Sequence, residues 1–395
     1  MIIAAMKFSG VLGRAGRRLL AAGVVLTVAT GALVGCGKSD EKDEPPSVRL
    51  GALLPLSGYF APTGQPMADA YRMAIKEANE AGGVLGRQVE IVFGDDACDP
   101  AAAVVGANQL VGEDITVSVG GGCSVAAVPS LKIFEAAGIP MIIPAANSTD
   151  LLAPGYDSVF LLAGTTRLEA KRAVEVMGKL GVRRVAVVDD GTSFSDTLAA
   201  ETSMFVREND NGTTFTGRQR VSQGATSYPR VVATVLQQRA DMVFYTGYYA
   251  EAAKLIRDLR AAHYTGKILL ADAGTDPALL NQITPAEAEG LYGLSLPVAK
   301  FMPQAAEWAA KYRAAYHKEP GPFTMQAYDA ARLAINAIGR AGTLDREAVR
   351  KAIADTEPGD IRLLSGPAEF QPDGTQVNPT FLLLQAHNGV FVLAG

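Results

Sequence analysis

The glycine-rich pentapeptide Gly120–Ser124 is the part of this sequence whose residue types best suit binding chemistry. It follows an apolar, strand-like run, Ile115–Val119, and precedes Val125–Ala137, whose composition indicates a helix. In an open α/β sheet, such a strand-to-helix turn lies at the carboxyl edge, where ligands bind. Glycines let the backbone come close to a ligand, and a serine hydroxyl beside helix amides suits an anion. The turn therefore predicts a carboxylate site; the alternative is an ordinary turn in which Ser124 only caps its helix.

Strands and helices alternate along most of the chain without hairpin turns, which indicates right-handed crossovers and parallel sheets. The first set precedes Gly164 and has strands at Val48–Leu54, Gln88–Phe93, Ile115–Val119 and Ile139–Ile143. The second set has strands at Arg184–Val188, Thr213–Val221, Asp241–Tyr245 and Lys267–Ala271. Two successive sets of this kind predict an α/β protein of two lobes with similar build.

The remaining segments are a helix that Pro66 is expected to open, a helical stretch over residues 303–354, and two C-terminal strands. One stripe of the helical stretch is aromatic and is expected in the core: Trp308, Tyr312 and Tyr316. The C-terminal strands, Phe381–Leu384 and Val390–Leu393, flank Asn388-Gly389, a dipeptide that favours a type I′ turn.

Residues 1–35 have the layout of an export signal. An uncharged apolar stretch, Leu19–Gly35, follows the basic residues Lys7, Arg14, Arg17 and Arg18. Leu33–Cys36 resembles the bacterial lipobox, which is cleaved before a cysteine that receives a diacylglycerol. A transmembrane anchor is the alternative, although the run is short for a bilayer span. Residues 36–47 are dense in charge and proline and predict a tether, so we expect an exported protein that lipid on Cys36 anchors at the outer face of the cell membrane or in the periplasm.

Charge and cysteine content exclude several classes of function. The formal net charge is −5, and removal of the basic signal makes it more negative, which argues against a nucleic-acid partner. The chain has three cysteines; once Cys36 is assigned to lipid, Cys98 and Cys123 remain as a disulfide pair in an oxidising compartment. The histidines are scattered without ligand spacing, so we expect neither a metal nor a cofactor: His263, His317 and His387.

Two longer motifs identify the family that the chain resembles. Glu77–Arg87 contains the pattern Asn-x-x-Gly-Gly-x-x-Gly, and Asp95–Pro100 has the sequence Asp-Asp-Ala-Cys-Asp-Pro. Shorter matches occur at Leu56–Gly58, Gly122–Ser124, Pro144–Ala146 and Tyr245–Tyr249. From about Val48 to its end, the chain resembles the branched-chain amino-acid-type periplasmic binding proteins of ABC transporters. The resemblance implies a type I periplasmic-binding-protein fold, in which two Rossmann-like lobes with parallel sheets are joined by a three-strand hinge and close on a ligand.

The three crossovers that this fold requires are expected near Gly164, Leu296 and Phe370. Lobe 1 is then predicted to comprise residues 48–164 and 296–370. Lobe 2 is predicted to comprise residues 165–295 and 371–395.

The resemblance also implies how a ligand is held. A free amino acid is a zwitterion, so a buried site must offer donors to its carboxylate and an acceptor to its ammonium group. The resemblance assigns the carboxylate to Ser124, to the backbone at Ala145 and Ala146, and to Asn147, where the family usually has threonine. Ser148 is an adjacent substitute donor. Ala145 could instead be plain loop, and Asn147 a turn former.

The opposite side of the implied site comes from the second set of elements. Tyr248 falls on the family's aromatic turn residue, whose backbone and ring face the ligand. Asp272 is the first choice for the ammonium group and Asp276 the second, although either could simply cap a helix. Thr63 and Phe194 take positions that are often aromatic in the family, and both are expected to touch the ligand side chain.

The resulting hypothesis is a monomeric solute receptor that captures a small amino acid and delivers it to the transmembrane subunits of an ABC permease. Leucine, isoleucine and valine are the ligands expected first. Another small carboxylate or amide as ligand, or a sensing role with the same lobes, remains open. An exported enzyme is disfavoured, because Ser124 is not in a Gly-x-Ser-x-Gly elbow and the glycine run lacks the ending of a P-loop.

Overall fold

The computed structural model describes residues 46–394. The predicted signal, Cys36 and most of the predicted tether lie outside this range. Within it, no helix combines the length and the apolar character needed to cross a membrane.

The first sheet has five strands in the order β2-β1-β3-β4-β5, and every neighbouring pair is parallel. Its strands are β1 (Val48–Leu54), β2 (Val89–Asp95), β3 (Val117–Ser118), β4 (Met141–Ile143) and β5 (Val159–Leu161). Three helices connect them: α1 (Ala61–Glu80), α2 (Pro100–Gly112) and α3 (Ser124–Ala136). The predicted parallel sheet is confirmed, with β5 as an additional strand that the sequence patterns did not indicate.

The second sheet has seven strands in the order β12-β11-β10-β9-β8-β6-β7. They are β6 (Arg184–Asp189), β7 (Thr214–Arg220), β8 (Met242–Tyr245), β9 (Lys267–Leu270), β10 (Tyr292–Ser295), β11 (Leu382–His387) and β12 (Val390–Leu393). Its helices are α4 (Thr166–Lys179), α5 (Ser193–Glu208), α6 (Pro229–Gln237), α7 (Tyr249–Ala261) and α8 (Pro285–Ala288). Strands β11 and β12 pair antiparallel around Asn388 and Gly389, whose φ angles of 51° and 76° are those of the predicted hairpin turn.

The chain passes between the two sheets three times. The first passage follows β5 and the second follows β10. The third lies later than predicted, because Leu161 still exchanges backbone hydrogen bonds with Gly374 and Gln376 at 2.9 and 3.1 Å. It therefore falls between Gln376 and β11 rather than near Phe370; the other lobe bounds stay a prediction.

The helical stretch contributes α9 (Ala306–Tyr316), α10 (Thr324–Ala341) and α11 (Arg346–Ala354). Helix α10 packs along α1, which places this stretch with the first sheet. The predicted aromatic stripe lies in the core, with Trp308 and Tyr312 buried and Tyr316 partly buried against them.

Helix α1 begins at Ala61, five residues before the start that Pro66 suggested. Pro62 occupies the first turn, where the missing amide costs nothing, and the buried ring of Phe60 fixes the entry of the chain. Pro66 lies inside the helix, and its carbonyl accepts a hydrogen bond from the Tyr312 hydroxyl at 3.2 Å.

The glycines of the Gly120–Ser124 turn are required by packing within the first lobe. A Cβ atom at Gly120 would lie 2.2 Å from the Leu53 amide nitrogen, and one at Gly122 would lie 2.8 Å from Pro55. These two glycines therefore let the turn approach β1 and the loop after it, a packing role that the sequence did not indicate. The predicted disulfide between Cys98 and Cys123 is present, with 5.6 Å between the Cα atoms.

Candidate ligand-binding site

Ser124 is the first residue of α3, and Cys123 takes the N-cap position. The Ser124 side chain does not cap the helix. Its Oγ accepts hydrogen bonds from the backbone amides of Asn147 and Ser148, both at 3.2 Å. Since both accepting positions of the hydroxyl are used, its proton is left to donate, and among residues 46–394 no protein acceptor bonds to it. The turn thus presents a buried hydroxyl donor beside the unpaired first amides of a helix, which suits a carboxylate.

Asn147 joins the two lobes at this point. Its side-chain amide donates to Asp272 Oδ2 at 3.3 Å, and its backbone carbonyl accepts from the Thr166 amide at 2.8 Å. The other oxygen of Asp272 accepts the Ala273 amide at 2.6 Å. A hydroxyl donor from lobe 1 and a carboxylate from lobe 2 therefore lie on either side of one asparagine.

The alanines after β4 use their backbone differently from one another. The Ala146 amide donates to the Gly121 carbonyl at 3.0 Å, so it is committed to the glycine turn. The Ala145 amide has no protein acceptor within the described residues. Both alanines are buried, and of the two only Ala145 has an amide left for a ligand.

The aromatic residues of the site pack around Tyr248. Its ring centroid lies 5.2 Å from that of Phe60 and 5.8 Å from that of Phe194. The Tyr248 amide donates to Asp190 Oδ2 at 3.1 Å, so its backbone is occupied within lobe 2. Tyr59, at the exposed edge, packs 6.4 Å from the same ring. These rings form an apolar wall that includes Phe194.

Thr63 and Asp276 bind each other instead of converging on Ser124. The Thr63 hydroxyl donates to Asp276 Oδ2, and Asp276 Oδ1 accepts the Ala278 amide at 2.8 Å as a helix cap. Asp276 also lines a separate cavity of about 400 Å³ between the lobes. Asp272 and Asp276 thus each accept two hydrogen bonds, and they differ in their partners: Asp272 is bonded to Asn147, which also donates its amide to Ser124, whereas Asp276 is bonded to Thr63 and to its own cap.

Two further carboxylates, which no sequence motif indicated, lie in this part of the second lobe: Glu169 beside Asp272, and Glu201 near Glu169. Glu169 on α4 is fully buried, and its Oε1 accepts the Asp272 amide at 2.8 Å. Glu201 on α5 accepts the Thr149 hydroxyl at 3.1 Å. The remaining oxygen of each glutamate, Oε2, is buried without a hydrogen-bond partner among residues 46–394.

Burial raises the pKa of all three acids. The pKa of Glu169 rises well above its usual value through burial and the neighbouring Asp272 carboxylate. Burial likewise raises the pKa of Asp272 and of Glu201. No lysine or arginine in the described part of the chain forms an ion pair with any of the three. The site is therefore short of positive charge, and an incoming ammonium group would supply it.

The two lobes are closed over these residues. Ser124, Asn147 and Asp272 are 1%, 2% and 5% exposed. Besides the Asn147 and Thr63 contacts, lobe 1 meets lobe 2 where Ser148 Oγ lies 3.2 Å from Thr197 Oγ1 and where the Tyr249 hydroxyl donates to the Tyr59 carbonyl. A ligand held here would be enclosed by both lobes.

A family model described as periplasmic binding protein matches residues 47–389. This chain belongs to the periplasmic binding protein family. Leu/Ile/Val-binding protein homolog 3 of Brucella melitensis is 29% identical over 368 residues, which cover 93% of this chain and 97% of that protein. The leucine-specific-binding protein of Salmonella typhimurium is 26% identical over 377 residues, 95% of this chain and 97% of that protein. A solved leucine-binding protein from Thermotoga maritima shares 25% identity at a TM-score of 0.81, covering 88% of this chain and 98% of the other.

These likenesses confirm the resemblance and the type I fold for this periplasmic binding protein. The structure brings Ser124, Asn147 and Asp272 together and sets Tyr248 beside Phe194, whereas Thr63 lies with Asp276. The ligand roles of all these residues stay predictions. The sequence contains an indication of Glu169: it lies on the buried stripe of α4, where acidic residues are rare.

Proposed function

We propose that this periplasmic binding protein captures a small α-amino acid of the leucine, isoleucine and valine class between its lobes and delivers it to an ABC permease. The observation that carries the proposal is the cross-lobe constellation of Ser124, Asn147 and Asp272.

The constellation offers a partner to each of the two charges of a zwitterion. The Ser124 hydroxyl, the Ala145 amide and the first turn of α3 would hold the carboxylate, while Asp272 would hold the ammonium group. Because these groups come from different lobes, a ligand that bridges them stabilises the closed form over the open one. A ligand with only one of the two charges would leave the other half of the site without a partner.

The surroundings of the constellation favour an apolar side chain. Phe60, Phe194 and Tyr248 are buried together, and burial raises the pKa of Tyr248 with a further contribution from the neighbouring Asp272 carboxylate. An apolar wall discriminates weakly between ligands that differ by one methylene group, so we expect a class of ligands rather than a single one. The names of the related proteins, which specify leucine or Leu/Ile/Val binding, support the same class.

The cellular setting follows from the same reasoning. We propose a monomer without cofactor that binds its ligand without turnover. Lipid on Cys36 anchors it at the outer face of the cell membrane or in the periplasm. The match to a periplasmic binding protein model supports binding without turnover. Loss of ligand uptake in a deletion strain would separate delivery to a permease from a sensing role.

Mass spectrometry of the small molecules released when the purified protein is denatured tests the ligand class. We expect leucine, isoleucine or valine, and each should also raise the melting temperature. At a hundredfold excess over the dissociation constant, the gain in unfolding free energy should be about 2.7 kcal/mol. An absence of any shift with all common amino acids, together with release of an unrelated molecule, would overturn the proposal.

Ser124→Ala should weaken leucine binding by about 1.5–3 kcal/mol, the range for a hydrogen bond to a charged group. The substitution removes the donor to the ligand carboxylate and also the acceptor for the amides of Asn147 and Ser148. Calorimetric titration measures the change, and Ser130→Ala serves as the control because that buried hydroxyl bonds within α3 to the Ala127 carbonyl. Equal affinities of the Ser124 and Ser130 variants would contradict the assigned role.

A further inference from the structure

Glu169 is a buried acid that the expected zwitterion chemistry does not use. Its side chain is fully enclosed between α4 and the turn after β9. One oxygen holds the Asp272 amide at 2.8 Å, and the other, Oε2, has no hydrogen-bond partner in the described part of the chain. A glutamine would satisfy the first contact equally well, so the contact alone does not explain an acid at this position.

The groups that face Glu169 add negative charge. Asp272 adjoins it from the turn after β9, and Glu201 faces it from α5. Asn147 reaches the pair from lobe 1 with a neutral amide. The positive charge of Arg167 lowers the pKa of Glu201, whereas no cation is among the groups that shift the pKa of Glu169. The pair Glu169 and Asp272 is therefore a buried double acid without a counter-ion among residues 46–394.

We propose that Glu169 and Asp272 together form the seat for the ligand's ammonium group, that they share one proton in the ligand-free closed protein, and that the ammonium group displaces this proton to solvent. The inference rests on the proposed function and deepens it by assigning a second acid to the same site. Only an O–H bond breaks: the shared proton passes to the buffer, and the ammonium group keeps all of its own.

Two adjacent buried carboxyl groups favour a single shared proton because two like charges at close range repel each other strongly. Burial and mutual repulsion, which raise the pKa of Glu169, act in this direction. A bound ammonium group favours the doubly ionised pair, because its positive charge offsets the repulsion between the two carboxylates. Ligand binding and proton release are therefore linked, and affinity rises with pH as long as the free pair still holds its proton.

The test is calorimetric titration of the full chain with L-leucine in several buffers of different ionisation enthalpy at about pH 7. The dependence of the observed heat on the buffer gives the number of protons released. We expect up to about one proton per leucine in the wild type. Isocaproate, which has the same side chain and carboxylate but no amine, should release none.

Glu169→Gln is the informative variant, because glutamine keeps the acceptor for the Asp272 amide. It should lower the number of protons released, because only the raised pKa of Asp272 then remains, and at about pH 8 it should weaken leucine binding roughly 10- to 100-fold. At about pH 5.5 the loss should shrink, because the wild-type pair then keeps its proton as well. Glu175→Gln is the matched control on the same helix: Glu175 is exposed, pairs with Arg172 at 3.0 Å, and should behave as wild type.

Each result decides the inference. If leucine binds to the wild type without releasing protons, or if Glu169→Gln shows the wild-type proton count and pH profile, the shared seat is wrong while the proposed function stands. A Glu169→Gln chain that does not fold leaves the proton count of the wild type as the deciding measurement. If the wild type binds neither leucine, isoleucine nor valine, the proposed function fails, and the inference fails with it.

Discussion

Asp272→Asn should weaken leucine binding by roughly 2–5 kcal/mol, the range for removing one partner of a buried, hydrogen-bonded charge pair. Asp272 accepts hydrogen bonds from Asn147 and Ala273, so its carboxylate is fixed where the lobes meet. Asparagine retains the shape but removes the charge that the ammonium group needs. Calorimetric titration of leucine measures the loss.

The same substitution should stabilise the ligand-free protein at neutral pH. Burial raises the pKa of Asp272 above its value in the unfolded chain, so the folded state penalises the ionised form. Folding stability from this group is therefore greatest below the unfolded pKa of about 3.9 and falls as the pH rises through the folded pKa. Asparagine does not ionise and escapes the penalty. Thermal unfolding without ligand should thus give a higher melting temperature for Asp272→Asn than for the wild type at about pH 7, and the difference should vanish at about pH 4.

Asp276→Asn is the matched control, since Asp276 is an equally buried aspartate on the same segment. Its carboxylate is committed to Thr63 and to the cap of the following turn. We expect its effect on binding to be clearly smaller than that of Asp272→Asn. The reverse order would move the ammonium seat to Asp276 and would show that the assignment of this turn is displaced by four residues.

The elements that carry the site were accessible from sequence because their patterns are local. Short apolar strands alternate with helices, and parallel strands place their carboxyl ends at one edge of a sheet. Ser124, Asn147 and Asp272 each follow such a strand, so their meeting was predictable once two lobes were expected. The antiparallel pair β11 and β12 was visible in the same way, through the turn at Asn388-Gly389.

What the sequence did not disclose depends on packing across long separations. The role of Gly120 is set by the backbone of Leu53, which lies in a neighbouring strand and leaves no trace beside the glycine in the chain. The bond between Thr63 and Asp276 joins residues 213 positions apart. Glu169 was only partly predictable from the sequence. The helical period of α4 indicates that its position is buried, but only the fold shows that Asp272 lies next to it.

Removal of the disulfide should lower the unfolding free energy by roughly 3–4 kcal/mol in the chain-entropy model, because the bridge closes a loop of 25 residues. Cys98→Ala with Cys123→Ala, measured by denaturant unfolding in a Cys36→Ser background, gives the value. Reduction of the disulfide in the parent should reproduce it, and reductant should leave the double variant unchanged.

The bridge also has a local consequence for the site. Cys123 is the N-cap residue of α3, so the bridge holds the residue next to Ser124 against the loop after β2. Cys98 adopts a left-handed backbone conformation with φ 57°, which is unfavourable for a side chain and is maintained by its surroundings. In the double variant we therefore expect weaker leucine binding in addition to lower stability. A substitution that destabilises only the second lobe should leave the Ser124 hydroxyl in place. Unchanged leucine affinity in the folded double variant would show that strand β3 and Pro55, rather than the disulfide, position Ser124.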